Sequence, residues 1–489
     1  MSAKRVLAFD FGASSGRAII GTFDGETIRL EEIHRFENTP VKMNGTLYWD
    51  LPRLFHEVKQ GLVKAADSGG FDSLAVDTWG VDFGLIGKDG HILELPVNYR
   101  DERTKGMLDE SFKLIDKQQF YKITGNQFME INTAFQLLSL KHKRPDFLRN
   151  AETMLLMPDL FNYLLTGKKR AELSIASTTQ LLNAVNKDWS DTVLRALCIP
   201  RIMLPQICMP GTEVGMLTDE ICEELNIPKA KVMSVCGHDT QSAAAATPTQ
   251  EDDFIFISCG TWSLFGTEVD EPVINETSAA LNITNEIGYG GKTTFLKNII
   301  GLWLIQESRR QFTRDGNDYS FADLEKLALE TEPFKCFIDP DAPEFVPVGN
   351  IPKRVQEYCE KTGQAVPSSV GEIMRCIYES LALKYRQTFD EIKQCTGKDY
   401  SKIYLMGGGT KDGMLCQMTA NACNCEVCAG PIEATAYGNI AVQLIASGDI
   451  PDIKTARKIV AASDNIKTFS PCDCDKWEEA YKNYINIIK

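Results

Sequence analysis

The chain of 489 residues is 43% apolar and 24% charged, a balance that supports large buried cores and at least two domains and is foreign to disordered or fibrous proteins. Its net charge of −15, from 67 acidic against 52 basic residues spread along the chain, offers no concentrated positive footprint, so nucleic acid and anionic membrane are not expected partners. No apolar run is long enough to span a bilayer, the opening up to Asp10 lacks a signal-peptide core, and 15 scattered cysteines form no regular disulfide framework, so the expectation is a cytoplasmic protein with reduced thiols.

In chain order, Arg5 to Phe11 reads as a buried strand, Gly12 to Gly16 as a tight polar turn and Arg17 to Phe23 as a second strand. The small tip of this hairpin, Ala13, Ser14, Ser15 and Gly16, leaves backbone N–H groups and hydroxyls to face an anion, although neither common glycine-rich phosphate motif is present. Asp10, at the end of the first strand, suits a Mg2+ held through water. A third strand (27–35), a helix (51–66) and the strand Ser73 to Thr78 give an α/β domain. Trp79-Gly80-Val81-Asp82 then follows at a strand end, where open α/β sheets gather ligands. Trp79 fits either a face for a sugar, with Asp82 accepting from its hydroxyls, or a core tryptophan. From about 109 to 229 the pattern is mainly helical and reads as an insertion capping the first sheet.

Near the midpoint, Lys231 to Val235 is strand-like, Cys236-Gly237 breaks it, and Gln241 to Ala246 opens a helix. Asp239 therefore lies at a helix N-terminus, which favours its ionised form. It fits a general base, and it equally fits a simple cap, as does Thr240. A polar linker at 247–253 divides the chain into 1–246 and 247–489. Beyond it the opening pattern returns: strand 253–258, a Cys259-Gly260-Thr261 turn and strand 262–269. Lys297 to Gln306 is expected to begin a helix carrying Asn298 and Gln306 about two turns apart, and apolar residues from Val370 to Ile392 repeat with a helical period. Strand 401–406, the glycines 407–409 and a helix from Asp412 close the series, the triple glycine permitting a planar base or ribose to approach the backbone. Cys416, Cys423, Cys425 and Cys428 lack the paired spacing of a zinc module and read as core packing, while Cys359 and Cys376 are a candidate pair.

Two duplicated α/β halves, each opened by a phosphate-sized hairpin, resemble the actin, hexokinase and heat-shock ATPase superfamily. Within it the chain is similar, almost end to end, to the FGGY carbohydrate kinase family. Besides the hairpins, the resemblance rests on 44–50 (N-G-T-L-Y-W-D), 77–83 (D-T-W-G-V-D-F), 258–263 (S-C-G-T-W-S), 282–285 (N-I-T-N), 296–298, 301–306 and 429–434. It implies a two-lobed, ribonuclease H-like α/β fold with a cleft between the lobes, and ATP-dependent phosphorylation of L-rhamnulose at its 1-hydroxyl. Asp239 would be the catalytic base and Asp10 the Mg2+ site. Ala13, Ser14, Ser15, Gly16, Arg17, Thr261, Gln306 and Gly408 would bind ATP, and Gly80, His238, Asp239, Thr240 and Asn298 the sugar. The implied partners are sugar and ATP alone, bound by a monomer or small homo-oligomer. The alternative inside the class is a kinase for another ketose or polyol such as L-fuculose, xylulose or glycerol. Outside the class it is an ATP-driven switch, as in actin or the chaperones, without a sugar-phosphorylating base. Two departures stand out: Ala13 replaces the threonine of many members, as in the branch acting on L-rhamnulose, and Asp412 replaces an asparagine, which bears on adenine preference.

Overall fold

The computed structural model describes residues 3–488. They pack as two compact units, neither continuous in sequence. The first takes the chain up to Gln250 together with Glu268–Phe295 and Ala434–Asp464; the second takes Glu251–Thr267, Leu296–Glu433 and the chain from Asn465 on. The cut at 247 thus orders the chain, while two later segments return to the first unit.

In the first unit the strands Lys4–Phe11 and Ser15–Phe23 form the expected antiparallel hairpin, and Ile28–Glu37 extends it. On the other side Lys4–Phe11 pairs in parallel with Ser73–Thr78, which pairs in parallel with Lys231–Ser234, and Thr212–Met216 closes the edge antiparallel. The second unit repeats the plan. Ile255–Cys259 and Trp262–Val269 form its hairpin, Lys402–Met406 and Glu426–Ala429 add parallel strands, and Lys467–Phe469 closes antiparallel. Antiparallel, parallel, parallel, antiparallel is the same sequence of pairings in both, which is the duplication read from the two hairpins.

Two expectations change. The insertion is not only a helical cap: Ala151–Leu156 pairs with Phe83–Gly87, and Thr212–Met216 is an edge strand of the main sheet. Lys297 and Asn298 lie on the strand Thr293–Ile300, and the helix starts at Trp303, so Asn298 and Gln306 share no helix. The apolar run had suggested a helix, but Gly301 separates an extended, largely buried half from a helical one.

The first unit's core explains why its late segment returns. Val6, Ala8 and Ile19 on the sheet pack with Tyr437, Ile440, Ala441 and Leu444 of the helix Ala434–Ala446. That helix also lies close against Asp239–Ala245: a Cβ on Gly438 would stand 1.8 Å from the Ser242 carbonyl. The alanines of the short helix, all buried, keep that approach possible.

Candidate functional site

The parallel strands of the first unit end side by side, and the site residues are collected there by register rather than by sequence proximity. Asp10 sits opposite Arg17 across the hairpin and opposite Asp77 on the parallel neighbour. Thr78 bridges His238, and its N–H donates to the Gly237 carbonyl at 2.8 Å. Four of the expected residues, Asp10, Arg17, His238 and Asp239, are thus joined by Asp77, the first residue of the 77–83 run, for which the sequence suggested no role in the site.

The electrostatics are unusual. Arg17 Nη2 donates to Asp10 Oδ2 at 2.6 Å. Asp77 is fully buried; Asn439 Nδ2 donates to its Oδ2 at 2.6 Å, and Oδ1 finds no partner among the described residues. Burial first, then the charge of Asp10 and to a lesser degree that of Asp239, hold the Asp77 carboxyl well above its usual range. Asp10 and Asp77 in register, the latter with an orphaned oxygen, are the kind of carboxylates that would hold Mg2+ partly through water, so their chemistry fits that ion.

Asp239 begins the helix Asp239–Ala245 after His238 at the N-cap, and the His238 side chain makes no cap bond. Asp239 is not the N-cap residue, yet its Oδ1 accepts from the Thr240 N–H and hydroxyl, at 2.6 and 3.2 Å, and so serves one donor of the first turn. The Asp239 side chain keeps 27% of its surface exposed. Even so, the packing around it desolvates the carboxylate enough to push its pKa up to about 6, with His238 opposing the shift and Asp10 adding to it. Helix position alone predicts a lower value; desolvation outweighs the dipole, yet the group remains mostly ionised at neutral pH.

His238 is buried, and Gly80 lies over its ring: a Cβ at position 80 would stand 3.4 Å from His238 Nε2. The backbone before Asp239 is held from below. Glu172 accepts from the Gly237 N–H at 2.8 Å and from the Ser174 hydroxyl at 2.6 Å, while Ser174 Oγ accepts from the His238 N–H at 3.3 Å. Burial raises the pKa of Glu172, against these hydrogen bonds.

Trp79 and Asp82 resolve to the core. Trp79 packs tilted against Trp49 with ring centroids 4.0 Å apart, and Asp82 accepts from Trp49 Nε1, Trp79 Nε1, the Tyr99 N–H and Gln136 Nε2 at 2.6 to 3.1 Å. Three of these donors meet Oδ2 and one meets Oδ1, which commits the buried Asp82 to the core, and burial pushes its pKa up to about 6. This lattice locks Val81 at φ +67°, a left-handed conformation costly for a β-branched residue, directly beside Gly80. At the first hairpin tip, Ala13 and Ser15 are partly exposed and Ser14 is exposed, whereas Gly16 is buried against Phe36.

In the second unit, Thr261 is the tip of the hairpin, and its carbonyl accepts from the N–H groups of Gly301 and Trp303 at 3.3 and 3.1 Å. Gln306 is half-buried on the helix Trp303–Arg314, and Asn298 half-buried on its strand. The triple glycine divides its tasks. Gly407 takes φ +86°, and a Cβ on Gly409 would strike Cys259 Sγ at 2.2 Å, while Gly408 is exposed with open space where a Cβ would lie. Asp412 is the N-cap of Gly413–Cys423, accepting from the Leu415 N–H at 2.8 Å and from the Tyr378 hydroxyl at 2.7 Å. Its carboxylate is occupied in holding the helix end. Burial, with the neighbouring Asp412 carboxylate, pushes the Glu325 pKa up to about 8. Cys416 and Cys423 lie on that helix and Cys428 on the following strand, all buried free thiols, as is Cys425. Cys359 and Cys376 are also free, gathered with Cys336 so that their Sγ atoms lie within 4.8 Å of one another.

The N-terminal domain of the FGGY family of carbohydrate kinases matches residues 5–246, and the C-terminal domain of that family matches residues 255–447. The chain belongs to the FGGY family of carbohydrate kinases and is a sugar kinase. It is 39% identical to a rhamnulokinase of Bacteroides thetaiotaomicron over 99% of both chains, and 38% identical to one of Bacillus subtilis over 96% of both. In fold it is similar to a gluconate kinase from Lactobacillus acidophilus, with TM-score 0.81 at 16% identity over 99% of this chain and 98% of that one. A Plasmodium falciparum glycerol kinase with ADP gives TM-score 0.79 at 14% identity, over 100% and 98% of the two chains. The two-lobed fold expected from the resemblance is therefore that of the chain.

Proposed function

We propose that the chain transfers the γ-phosphoryl group of ATP to the 1-hydroxyl of L-rhamnulose, giving L-rhamnulose 1-phosphate and ADP, as a step in L-rhamnose breakdown. One observation carries the choice of sugar: likeness over nearly the whole length of both chains to rhamnulokinases. The site supplies the chemistry. Asp239, mostly ionised at neutral pH, takes the proton as the hydroxyl oxygen bonds to phosphorus, and the bond to the bridging oxygen breaks with its electrons leaving on ADP. A cation bound near Asp10 and Asp77 would neutralise phosphate charge. Arg17 gives the first hairpin a positive charge, and the tip residues Ala13, Ser14, Ser15 and Gly16 offer their backbone to phosphate.

Thr261, Gln306 and Gly408 are assigned to the nucleotide, Gly408 being supported by the open space above its Cα. Gly80, His238, Thr240 and Asn298 are assigned to the sugar, Gly80 supported by its closeness to the His238 ring. On this reading residues 1–246 are the sugar side and 247–489 the nucleotide side. No helix among the described residues is long and apolar enough to cross a membrane. With its cysteines free, that supports a cytoplasmic enzyme.

The test is ADP release with Mg-ATP over L-rhamnulose, L-fuculose, L-ribulose, D-xylulose and glycerol, with Asp239→Asn as control. Highest turnover on L-rhamnulose, lost in the variant, is expected. Preference for another sugar in the panel overturns the substrate and keeps the mechanism.

A further inference from the structure

A chain of buried polar groups leads away from Asp239, and most of its members have no place in the reaction described so far. His238 Nδ1 lies 2.9 Å from Glu286 Oε2. The same oxygen accepts from Gln241 Nε2 at 3.0 Å, and Gln241 Oε1 accepts from the Thr294 hydroxyl at 2.6 Å. Glu286, Gln241 and Thr294 are all buried. Glu286 sits on the strand Thr284–Ile287, whose four residues are buried although three are polar, an arrangement that packing alone does not call for. The backbone leaves room for the chain as well: a Cβ on Gly288 would stand 3.0 Å from both Gln241 Oε1 and Thr294 Oγ1.

The direction of each bond follows from the groups. A carboxylate only accepts, so His238 Nδ1 carries a proton and donates it to Glu286. That fixes both the ring's orientation and the identity of the nitrogen at its other edge. Nε2 is left facing Asp239 Oδ1 at 3.5 Å, too long for a direct hydrogen bond and short enough for one hydroxyl to touch both. Thr294 in turn orients the Gln241 amide, so that its NH2 faces Glu286 and not its carbonyl. Burial works against a charged His238, while Glu286 first and Asp239 second work for it; the net effect raises the histidine's pKa.

We propose that Glu286 is a positioning residue for phosphoryl transfer: it holds His238 through Nδ1 so that Nε2 stays turned toward the sugar hydroxyl that Asp239 deprotonates. The proposal rests on the assignment of Asp239 as the base. Gln241 and Thr294 stand behind Glu286 and keep its carboxylate from swinging away. Because Glu286 acts through His238, its loss affects the geometry of the reacting hydroxyl and leaves nucleotide binding alone.

The test uses the full chain. Glu286→Ala is expected to lower kcat tenfold to a hundredfold, the scale of a misplaced reacting group, with KM for Mg-ATP unchanged. Glu286→Gln, which keeps an oxygen to accept from Nδ1–H, is expected to recover most of the loss. The chain has only 5 histidines, so a low-field imidazole proton that disappears in His238→Asn can be assigned to His238 by NMR. That resonance should vanish in Glu286→Ala and persist in Glu286→Gln. Should Glu286→Ala fail to fold, the near-isosteric Thr294→Val is expected to weaken the same resonance and lower kcat less. Wild-type kcat in folded Glu286→Ala, or an unmoved resonance, overturns the proposal. Full turnover in Asp239→Asn overturns the base assignment instead, so the two failures are distinct.

Discussion

At the end of the first hairpin Asp10 faces Arg17 across the strands, whereas at the matching place in the second hairpin Ser258 faces Leu264, and the next pair is Cys259 with Ser263. The backbones are duplicates, and each is followed by a parallel strand at the same side. Around the first, carboxylates accumulate: Asp77 lies in register with Asp10, and Asp239 follows the next strand. In the second, the hairpin's own close contacts are neutral: the Ser263 and Tyr385 hydroxyls lie 2.6 Å apart in a buried contact, and Gly409 presses on Cys259, while the Asp412 carboxylate adds only to the upward shift of the Cys259 thiol. Duplication of a hairpin therefore reproduces a cradle without reproducing its paired charges, and the proposed proton and metal chemistry rests on one copy.

The largest expected effect comes from removing the proposed base. Asp239→Asn should lower kcat ~10²-fold or more with the melting temperature little changed, checked by steady-state ADP release and a thermal melt. A pH profile sharpens the same point. On the proposal that Asp239 works ionised, its pKa of about 6 predicts a kcat/KM that is level above that value and falls as pH drops through it. Asp10→Ser gives the first hairpin the residue found at 258 in the second. It should raise the Mg2+ concentration required for half-maximal rate ~10- to 100-fold, measured by titrating Mg2+ at fixed ATP. Smallest is the change in the neutral hairpin: Tyr385→Phe removes the partner of Ser263 and should cost about 1 kcal/mol of stability, leaving the pH profile alone. If Tyr385→Phe moved the pH profile, the contrast between the hairpins would not hold.

Much of this was legible in the chain because local patterns carried it. Both hairpins, the strand Ser73–Thr78 and the strand–glycine–helix passage into Asp239 announce themselves within a dozen residues each. What escaped was created by register. Asp77 is one acid in an apolar run until the parallel pairing sets it against Asp10, and Glu286 lies 48 residues from the histidine it holds. Asp82 and Trp79 were left open for the opposite reason, since an aromatic beside an acid suits a sugar and suits a buried indole–carboxylate bond equally well. Only the second tryptophan, Trp49, decides between them. Lys297 to Gln306 failed because a continuous apolar run has no period, so strand and helix look alike until Gly301 divides them.

The return of Ala434–Asp464 to the first unit bears on how the protein is made. On the ribosome the first sheet emerges early, but the helix that covers Val6, Ala8 and Ile19 is translated only after the second unit's hairpin and most of its core. At ~5–20 residues per second the uncovered face waits tens of seconds or longer for its lid. A polypeptide released at residue 250 would carry that apolar face into solution, and such a fragment is expected to aggregate or be degraded. Nascent chains of this protein are therefore expected to depend on holding chaperones until synthesis passes residue 464.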